Sequence, residues 1–315
     1  MSKYKIAILD DYQDVAKSFA DWTLVTEYAE IEVFTNHLHE EDEIVARLKH
    51  FEIICVMRER TPLTPGLLMR LPNLKLIVST GARNRSIDLA AAEKLGIEVQ
   101  HTGYLGHGAL ELTWALLMAI AKHIPQENAN LRAGGWQHMV GNDLKGRTLG
   151  ILGLGNLGAQ VAAVAKVFDM DVIAWSENLT PEKAIAGGAR YVDKKTLFQE
   201  ADYLTVHMVL SDRSKGIVGA DDLALMKPTA YLINTSRGPL VDENALIKSL
   251  EENKIAGAAL DVFDKEPLDE NHPFRKLKNV LATPHIGFVT QDTYNLFFND
   301  IVKVLLNWLP KHPKK

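Results

Sequence analysis

Short apolar runs alternate with amphipathic stretches along the first third of the chain. The apolar runs predict strands at residues 5–9, 31–34, 51–57, 76–80 and 97–100. Between them, for example at residues 40–48 and 89–95, apolar positions recur at the spacing of one helix face. Strands that alternate with helices in this order form a parallel sheet covered by helices on both faces. The pattern therefore predicts a small doubly wound α/β domain.

The same alternation returns in the second half of the chain, with more strands. The apolar runs there predict strands at residues 148–152, 171–175, 189–192, 203–207, 231–234, 256–260 and 280–282. The chain has 315 residues, and this length suits two domains of ~100–200 residues each. We therefore predict a second doubly wound parallel sheet, larger than the first.

Two apolar helices are predicted to mark the limits of the domains. Residues 108–123 form a helix that is apolar on most sides, as expected for a helix buried between other parts of a protein. Residues 291–309 place aromatic and aliphatic side chains on one face, which suits a return to the first domain. The predicted domains are therefore 1–107 with 290–315, and 108–289. The polar stretch 125–143 predicts a linker or arm, and residues 311–315 predict a solvated, frayed tail.

Composition narrows the possible partners. The formal net charge is -5 and no long basic run occurs, so neither nucleic acid nor an anionic membrane is an expected partner. The only cysteine, Cys55, lies in an apolar run, so no disulfide framework can form within the chain. The sequence shows no apolar signal core, no membrane span of ~20 residues and no metal-binding cluster. These observations favour a cytoplasmic protein without a bound metal.

The predicted strand at 148–152 runs into a glycine-rich turn, Gly153-Leu154-Gly155-Asn156-Leu157-Gly158, which opens an apolar helix. Gly153 permits a tight turn, Gly155 lets the backbone approach a pyrophosphate, and Gly158 lets the helix pack on the strand. The helix start presents N–H groups and a positive dipole end to the anion. Such a turn can also be only a turn, but its flanks here predict a dinucleotide site. Its contacts would be Gly153, Gly155, Asn156, Leu157 and Gly158.

Three later stretches each follow a predicted strand, which is where doubly wound folds place their active sites. The first contains Arg237, whose planar guanidinium suits a carboxylate. The second contains Asp261 and Glu266 in an acidic turn, and the third contains His285, which can give or take a proton near neutral pH. Alone, these could be a surface arginine, a solvated acidic loop and a structural histidine. Together, downstream of the glycine turn, they predict an active site.

At these motifs the chain resembles the D-isomer-specific 2-hydroxyacid dehydrogenases, among them phosphoglycerate dehydrogenases and glyoxylate or hydroxypyruvate reductases. The resemblance covers essentially the whole chain and is strongest from Leu144 to Gly287. It rests on the combination of Asn-Thr-Ser-Arg-Gly, Leu-Asp-Val-Phe with Glu-Pro, and Thr-Pro-His-Ile-Gly. It implies a flavodoxin-like substrate domain and a Rossmann dinucleotide-binding domain. The implied reaction is hydride transfer between a nicotinamide cofactor and a 2-keto acid or D-2-hydroxy acid.

The resemblance also implies roles for individual residues. His285 would exchange a proton with the substrate oxygen, Glu266 would hold the imidazole and stabilise its charged form, and Arg237 would bind the carboxylate and polarise the carbonyl. Further cofactor contacts would come from His207, Thr235, Ser236, Asp261 and Gly287, with Asp261 on the nicotinamide carboxamide. In the first domain a turn would offer backbone N–H groups to the substrate carboxylate. The matching stretch runs from Ser79 to Arg83, and its substrate residues would be Thr80, Gly81, Ala82 and Arg83.

Two departures from the family pattern leave choices open. NAD-using members carry an acid at the end of the second strand of the dinucleotide fold, but here Ser176 occupies that place and Glu177 follows it. Ser176 cannot repel the 2′-phosphate of NADP, whereas Glu177 can, so both NAD and NADP stay open with a slight preference for NAD.

The second departure is in the substrate turn, where Arg83 replaces a glycine that the family usually has. Together with Arg58 and Arg60, Arg83 could bind a second anionic group of the substrate, a phosphate or carboxylate. The same arginines could instead face solvent or pair with Glu59.

Two other functions fit part of the pattern. Formate dehydrogenase has a similar scaffold, but it carries glutamine at the position of Glu266. A dinucleotide-sensing co-repressor would keep the same motifs without metabolic turnover, but the chain shows no added partner motif. By analogy with the family, we predict a homodimer formed through the cofactor domain, with contributions from helix 108–123 and an arm around Trp136.

Overall fold

The computed structural model describes residues 2–314. Within this range the chain divides into two compact units. The first contains the residues up to Leu105 together with those from Val289 onward, and the second is Gly106–Phe288. The domain limits predicted from the sequence differ from these by one or two residues. None of the helices within residues 2–314 has the length and apolarity that crossing a bilayer requires.

The strands of the first unit are β1 (Tyr4–Ile8), β2 (Ala29–Val33), β3 (Ile53–Val56), β4 (Leu76–Ser79) and β5 (Glu98–His101). Within the described residues they form a five-stranded parallel sheet in the order β2-β1-β3-β4-β5. The helices between them are α1 (Thr23–Tyr28), α2 (Glu41–Leu48), α3 (Pro65–Met69) and α4 (Leu89–Lys94). The strand order reverses at β1 and β3, which is the flavodoxin-like order that the resemblance implied.

Burial follows the position of each strand in this sheet. Every residue of the central strands β3 and β4 is buried, as is typical of parallel strands covered by helices on both faces. The edge strands β2 and β5 alternate between more and less exposed residues. The helices that follow the central strands begin at polar caps, because Thr64 and Asp88 accept hydrogen bonds from the first turns of α3 and α4. Burial of the central strands therefore explains the apolar runs, and helix capping explains the polar residues that follow them.

The second unit contains a larger sheet. Its strands are β6 (Thr148–Leu152), β7 (Asp171–Trp175), β8 (Arg190–Tyr191), β9 (Tyr203–Val206), β10 (Tyr231–Asn234), β11 (Gly257–Leu260) and β12 (Val280–Ala282). Within the described residues these seven strands are all parallel, in the order β12-β11-β10-β9-β6-β7-β8. The direction of the order reverses between β6 and β9, as in a Rossmann fold. Both predicted doubly wound sheets are confirmed.

The helices of this unit are α5 (His107–Ala121), α6 (Ile124–Arg132), α7 (Asn156–Val167), α8 (Pro181–Ala186), α9 (Lys194–Glu200), α10 (Ala220–Leu225) and α11 (Glu243–Glu251). Short 3₁₀ turns lie at Gly238–Leu240 and Pro273–Arg275 in this unit and at Leu309–Lys311 in the first unit. The apolar helix α5 starts just after the boundary between the units. It packs Trp114 and Leu117 into a core that also contains Leu149, Ile151 and Val161. Its apolar surface thus covers one face of the second sheet.

Helix α6 corrects the sequence prediction of a linker over residues 125–143. Pro125 lies in its first turn, where the missing N–H does no harm, and Glu127 and Arg132 lie in the first and last turns, where they suit the helix dipole. None of the residues of α6 is buried. A helix without a buried face leaves no apolar periodicity in the sequence, which is why the pattern did not indicate it. Residues 133–143 remain an irregular arm.

The last helix, α12 (Gln291–Trp308), belongs to the first unit. Its buried face includes Phe297 and Phe298. The Asn299 amide donates a hydrogen bond to the carbonyl of Phe19, before α1. The first domain is therefore discontinuous in sequence, as the aromatic face of this helix predicted.

The prediction of a frayed tail is wrong for residues 311–314, and Lys315 lies outside the described residues. The His312 ring stacks on Trp308 with ring centroids 4.1 Å apart. The Tyr4 hydroxyl donates to the carbonyl of His312 at 2.8 Å, and Lys314 Nζ donates to the carbonyl of Lys3 at 2.8 Å. The tail is therefore bound to the first strand of its own unit.

Candidate active site

The glycine turn after β6 has a steric reason for each glycine. Gly153 has a φ of +104°, and a Cβ added there would lie 2.7 Å from the carbonyl oxygen of His207. A Cβ on Gly158 would collide with the carbonyl oxygen of Gly153, so the helix can approach the turn only without a side chain. A Cβ on Gly155 would meet nothing within 4 Å. The turn therefore leaves a space in front of Gly155 that a side chain would begin to fill.

Helix α7 begins at this turn without a side-chain cap. Gly155 is its N-cap residue and offers no side chain to accept from the first-turn N–H groups. Asn156 is exposed and Leu157 is half-buried at the first turn. The N-terminal N–H groups and the positive end of the helix dipole favour an anion. The space at Gly155 and this uncapped helix start together fit the phosphates of a dinucleotide.

His207 lies directly beside the glycine turn, because β9 and β6 are neighbours at the point where the strand order reverses. Its N–H donates to the carbonyl of Leu152 at 2.8 Å. Its Nε2 lies 2.9 Å from the hydroxyl of Thr205, and its Nδ1 is buried with no hydrogen-bond partner among the described residues. Burial lowers the pKa of the His207 imidazole to about 4, so the ring is neutral at pH 7. A bound group could supply the partner that Nδ1 lacks.

Ser176 and Glu177 follow β7, the neighbour of β6 on its other side. Ser176 is half-buried and Glu177 is exposed. The carbonyl of Ser176 accepts from the N–H of Leu179 in the turn before α8. Both residues therefore leave the sheet at the edge that carries the glycine turn, one strand away from it.

The three stretches predicted to carry the active-site side chains follow three adjacent strands, at the same edge of the second sheet. In the register of the sheet, Asn234 at the end of β10 pairs with Leu260 at the end of β11, and Leu260 pairs with Ala282 at the end of β12. Arg237 follows β10, Asp261 and Glu266 follow β11, and His285 follows β12. Three stretches that are far apart in sequence are therefore neighbours in the fold.

His285 and Glu266 are in direct contact. His285 Nδ1 lies 2.5 Å from Glu266 Oε2, and the two side chains are 26% and 29% exposed. The other oxygen of Glu266 accepts from the N–H of Phe263 at 2.9 Å. Because Nδ1 is bound to the carboxylate, Nε2 is the ring nitrogen that remains able to exchange a proton with another molecule. Phe288 packs edge-on against the ring with centroids 5.6 Å apart.

Asp261 is 1% exposed, and both of its carboxylate oxygens accept hydrogen bonds from the turn around His285. Oδ1 accepts from the Thr283 hydroxyl at 2.6 Å and from the N–H of Ile286 at 2.8 Å. Oδ2 accepts from the N–H of Gly287 at 2.9 Å. Burial raises the pKa of the Asp261 carboxyl, and these hydrogen bonds oppose the rise. The buried carboxylate thus binds two main-chain N–H groups and one side-chain hydroxyl of this turn.

Arg237 lies in a turn that packs tightly on the segment before Glu266. A Cβ on Gly238 would collide with the backbone of Phe263, so the two turns touch through their main chains. The Asn234 amide donates to the carbonyl of Arg237 at 2.9 Å, and the Ser236 hydroxyl donates to the carbonyl of Val206 at 2.8 Å. Arg237 Nη1 donates to the carbonyl of Ser236 at 2.7 Å. The turn that carries the guanidinium is therefore held from several sides.

Thr113 of α5 is a residue of this edge that sequence reasoning missed. Its hydroxyl oxygen lies 2.7 Å from that of Thr235, and both residues are buried. Because the Thr113 hydroxyl donates to the carbonyl of Ala109, Thr235 must be the donor between the two hydroxyls. The signal was a threonine within a largely apolar helix, since a buried hydroxyl needs a partner.

In the first unit, the structure shows which N–H groups of the predicted substrate turn after β4 already have partners. The N–H of Thr80 donates to the carbonyl of Val56 at 3.0 Å. The N–H of Gly81 donates to the hydroxyl of Thr102 at 2.8 Å. These two buried N–H groups already have partners inside their own unit and are not the ones offered to a substrate. Ala82 and Arg83 are exposed.

The two arginines after β3 are held by their own unit and do not simply face solvent. Arg58 Nη1 donates to the carbonyl of Thr80 at 3.3 Å, and its guanidinium lies 4.9 Å from the ring centroid of Tyr104. Arg60 Nη1 donates to the carbonyl of Asp10 at 2.8 Å. Both side chains thus have defined positions near the ends of the strands.

Comparison with known proteins identifies the family. The model of the family described as "D-isomer specific 2-hydroxyacid dehydrogenase, NAD binding domain" matches residues 114–287. A glyoxylate reductase from Thermococcus litoralis is 43% identical over 236 residues, which are 72% of this chain and 71% of the relative. A hydroxypyruvate reductase from Thermotoga maritima is 34% identical over 297 residues, 93% of this chain and 94% of the relative. A solved structure of a phosphoglycerate oxidoreductase from Vibrio cholerae superimposes with a TM-score of 0.92 at 37% identity, covering 98% of this chain and 100% of the other.

The chain belongs to the D-isomer-specific 2-hydroxyacid dehydrogenases.

This dehydrogenase transfers hydride between a nicotinamide cofactor, NAD or NADP, and a 2-keto acid or 2-hydroxy acid. The matched residues lie within the second unit and include the glycine turn, Arg237, Glu266 and His285. The co-repressor alternative gains no support from these comparisons.

The cysteine that the sequence placed in an apolar run is Cys55 of β3, a free buried thiol whose pKa burial raises to about 12. Within residues 2–314, no group of three or more His, Cys, Asp or Glu residues is placed so that it could hold a metal ion.

Proposed function

We propose that Arg237, Glu266 and His285 are the catalytic residues of this dehydrogenase. The observation that carries the proposal is the 2.5 Å contact between His285 Nδ1 and Glu266 Oε2. The carboxylate stabilises the protonated imidazole and fixes the ring, so that Nε2 can donate a proton to the carbonyl oxygen of a 2-keto acid. In the reverse direction, Nε2 accepts the proton of the hydroxy acid. The bound nicotinamide supplies or accepts the hydride.

Arg237 binds the substrate carboxylate and polarises the carbonyl in this proposal. A guanidinium offers several N–H donors in one plane, which matches a carboxylate. The position of Arg237 supports this role, because its turn packs on Phe263, whose N–H binds Glu266. The three side chains thus depend on one set of main-chain contacts after β10 and β11.

The second unit binds the dinucleotide in this proposal. The phosphates would lie at Gly153, Gly155 and Gly158, where Gly155 faces open space and α7 starts without a side-chain cap. The remaining proposed contacts are Asn156, Leu157, Ser176, Glu177, His207, Thr235, Ser236, Asp261 and Gly287. Of these, His207 offers a buried Nδ1 that lacks a partner among the described residues.

NAD is the proposed cofactor of choice. Glu177 is exposed next to Ser176, and its negative charge would repel the 2′-phosphate of NADP. We expect kcat/KM to be higher with NADH than with NADPH, and Glu177→Gln to reduce the difference. A strong preference of the unaltered protein for NADPH would contradict this assignment.

The proposed substrates are short 2-keto acids such as glyoxylate and hydroxypyruvate, after the names of two relatives. Arg58, Arg60, Thr80, Gly81, Ala82 and Arg83 stay as proposed substrate residues, with Thr80 and Gly81 shaping the turn rather than offering N–H groups. A phosphorylated keto acid is the second candidate, because the solved phosphoglycerate oxidoreductase superimposes on this chain with a TM-score of 0.92 and Arg83 is exposed.

An oxidation screen tests the function. NADH and NADPH would be followed with glyoxylate, hydroxypyruvate, pyruvate, bulky 2-keto acids and phosphohydroxypyruvate. Turnover of at least one acid is expected, and failure with all of them would contradict the proposed activity. If Arg83→Ala lowers kcat/KM only for the phosphorylated acid, this arginine binds a second anionic group.

A homodimer is part of the proposal. Trp136 and Val140 of the arm are 76% and 92% exposed. They are nevertheless held in place, because the Asn130 amide of α6 donates to the carbonyl of Trp136 and Glu127 accepts from the N–H groups of residues 138 and 139. A fixed, exposed tryptophan is typical of an interface residue. Light scattering should give twice the chain mass, and Trp136→Ser should lower it.

A cytoplasmic location is also proposed. Its support is the single buried thiol of Cys55 and the lack of disulfides, which suit a reducing compartment. Cell fractionation tests it.

A further inference from the structure

The carboxylate of Asp10 joins three segments of the first unit. Asp10 follows β1 at the point where the strand order reverses, and it is 2% exposed. His37 Nδ1, from the segment after β2, lies 2.9 Å from Asp10 Oδ1, and the His37 side chain is 5% exposed. The buried hydroxyl of Thr61, after β3, donates to Asp10 Oδ2 at 2.6 Å. Both oxygens of this carboxylate are therefore bound by side chains of their own unit.

These contacts support an unusual backbone conformation. Asp10 has a φ of +58°, in the left-handed region that residues with a Cβ rarely occupy. Such a conformation persists only where the surrounding contacts hold it. Here His37 and Thr61 hold the side chain, and the N–H of Asp11 donates to the carbonyl of Phe34 at 3.1 Å. The carbonyl of Asp10 therefore has a fixed direction.

That carbonyl accepts a hydrogen bond from Arg60 Nη1 at 2.8 Å. The guanidinium of Arg60 also lies 4.4 Å from the ring centroid of Tyr12, two residues after Asp10. A hydrogen bond from a cation and a cation–π contact are both attractive. The segment from Asp10 to Tyr12 therefore holds the guanidinium at two points.

We propose that Asp10 and His37 are positioning residues, which keep the guanidinium of Arg60 in place for an anionic group of the substrate. This inference rests on the proposed function, in which Arg60 binds the substrate. Doubly wound folds bind ligands beyond the carboxyl ends of their strands, where the strand order reverses, and Arg60 follows β3 at this point. A displaced guanidinium weakens binding of the ground state and of the transition state alike, so KM rises while kcat is unchanged.

The first test compares two variants of His37. His37→Leu removes the N–H donor and leaves an apolar side chain, whereas His37→Asn keeps an N–H donor close to the place of Nδ1. For the 2-keto acid with the highest kcat/KM in the oxidation screen, we expect His37→Leu to raise KM by about tenfold. Its kcat should stay within about twofold of the unaltered protein, and His37→Asn should have a nearly normal KM. Equal KM values in the two variants would overturn the proposal.

A second pair of variants at Thr61 serves if His37→Leu does not fold. Thr61→Val removes the hydroxyl that donates to Asp10 and keeps the shape of the side chain, and Thr61→Ser keeps the hydroxyl. Losing one hydrogen bond to a carboxylate should raise KM by about three- to tenfold in Thr61→Val. A change in unfolding free energy with the same KM in both variants would make these contacts merely structural and overturn the proposal.

A double-mutant cycle tests whether the effect passes through Arg60. Arg60→Ala alone should raise KM by about tenfold or more, because a charged hydrogen-bond donor is lost. His37→Leu added to Arg60→Ala should then raise KM no further, since the guanidinium that it displaces is absent. Additive effects of the two substitutions, or an unchanged KM in Arg60→Ala, would overturn the proposal.

The outcomes separate this inference from the proposed function. If the unaltered protein turns over none of the 2-keto acids, the proposed function fails. The inference is then decided by a crystal structure of His37→Leu, or of Thr61→Val, in which Arg60 Nη1 should have moved away from the carbonyl of Asp10. An unchanged contact between these two atoms would overturn it.

Discussion

The two units are both doubly wound parallel sheets, but the ends of their strands are used differently. In the first unit, polar groups after β3 and β4 bind groups that follow other strands of the same sheet. The N–H of Gly81 donates to the hydroxyl of Thr102 after β5, and the guanidinium of Arg60 donates to the carbonyl of Asp10 after β1. In the second unit, hydrogen bonds fix the turns without using all of their polar groups. They leave the His285 ring partly exposed, a space at Gly155 and a His207 Nδ1 that has no partner within residues 2–314.

This difference shows that the fold class does not decide where the chemistry lies. At the first edge the N–H of Gly81 is bound by the hydroxyl of Thr102, so a substitution that breaks this pair should cost mainly stability. At the second edge, hydrogen bonds fix the turns but leave the His285 ring and Gly155 accessible, so substitutions of these two residues should cost mainly rate or binding.

The largest effect is expected for His285→Ala. Positioned proton transfer contributes ~10²–10⁴-fold, so kcat should fall by about that factor in steady-state assays. The second unit offers a matched control, because His272 Nε2 lies 3.1 Å from Glu243 Oε1 in another histidine–glutamate pair. His272→Ala should leave kcat nearly unchanged. Near-normal turnover in His285→Ala would remove this residue from the mechanism.

The next effect concerns the glycine turn, where two substitutions should fail in different ways. In Gly155→Val the side chain points into open space, so the thermal midpoint should hold while the Kd of NADH rises by about tenfold or more. In Gly158→Ala the Cβ collides with the carbonyl of Gly153, so the protein should lose about 1–3 kcal/mol of stability. Thermal unfolding and fluorescence titration measure the two quantities. A stability loss in Gly155→Val as large as that in Gly158→Ala would refute the distinction.

His207 predicts a loss of stability in acid. Burial lowers its pKa from 6.5 to about 4 in the folded state. The unfolded chain therefore takes up a proton below about pH 6.5, whereas the folded protein does so only near pH 4. The stabilisation that the neutral His207 provides is fully present above pH 6.5. It is lost as the pH falls from 6.5 to about 4, and the loss is about 3 kcal/mol at most.

Urea unfolding at several pH values measures this loss. The dependence on pH should be weaker in His207→Gln than in the unaltered protein. His50→Gln, at an exposed histidine of the first unit, serves as the control. Equal pH dependence in His207→Gln and the unaltered protein would speak against a neutral, buried His207.

The sequence predicted the parts of the fold that bury apolar surface. Strands such as Thr148–Leu152 and Tyr231–Asn234 were located correctly, because short apolar runs between polar turns have few alternatives. It also predicted that Arg237, Glu266 and His285 follow strands, which the parallel sheet places at one edge. Burial and strand order leave direct traces in the residue pattern.

What the sequence could not predict are features that leave no such trace. Helix α6 has no buried residue, so no periodicity marked it. The tail looked solvated, because the stacking of His312 on Trp308 depends on how the chain ends meet. Likewise, which N–H groups of the substrate turn are occupied depends on Thr102, and the partners of Asp261 depend on the conformation after β12.

The smallest effect is expected in the first unit, from Thr102→Val. The substitution leaves the buried N–H of Gly81 without its acceptor, which should cost about 1–3 kcal/mol of unfolding free energy. Thr102→Ser keeps the hydroxyl and should be close to the unaltered protein. Because this hydroxyl supports the turn within its own unit, kcat should change far less than in His285→Ala. Urea unfolding and steady-state kinetics on both variants check this. If Thr102→Val lost rate by 10²-fold or more at unchanged stability, the first edge would work like the second, and the contrast between the units would be wrong.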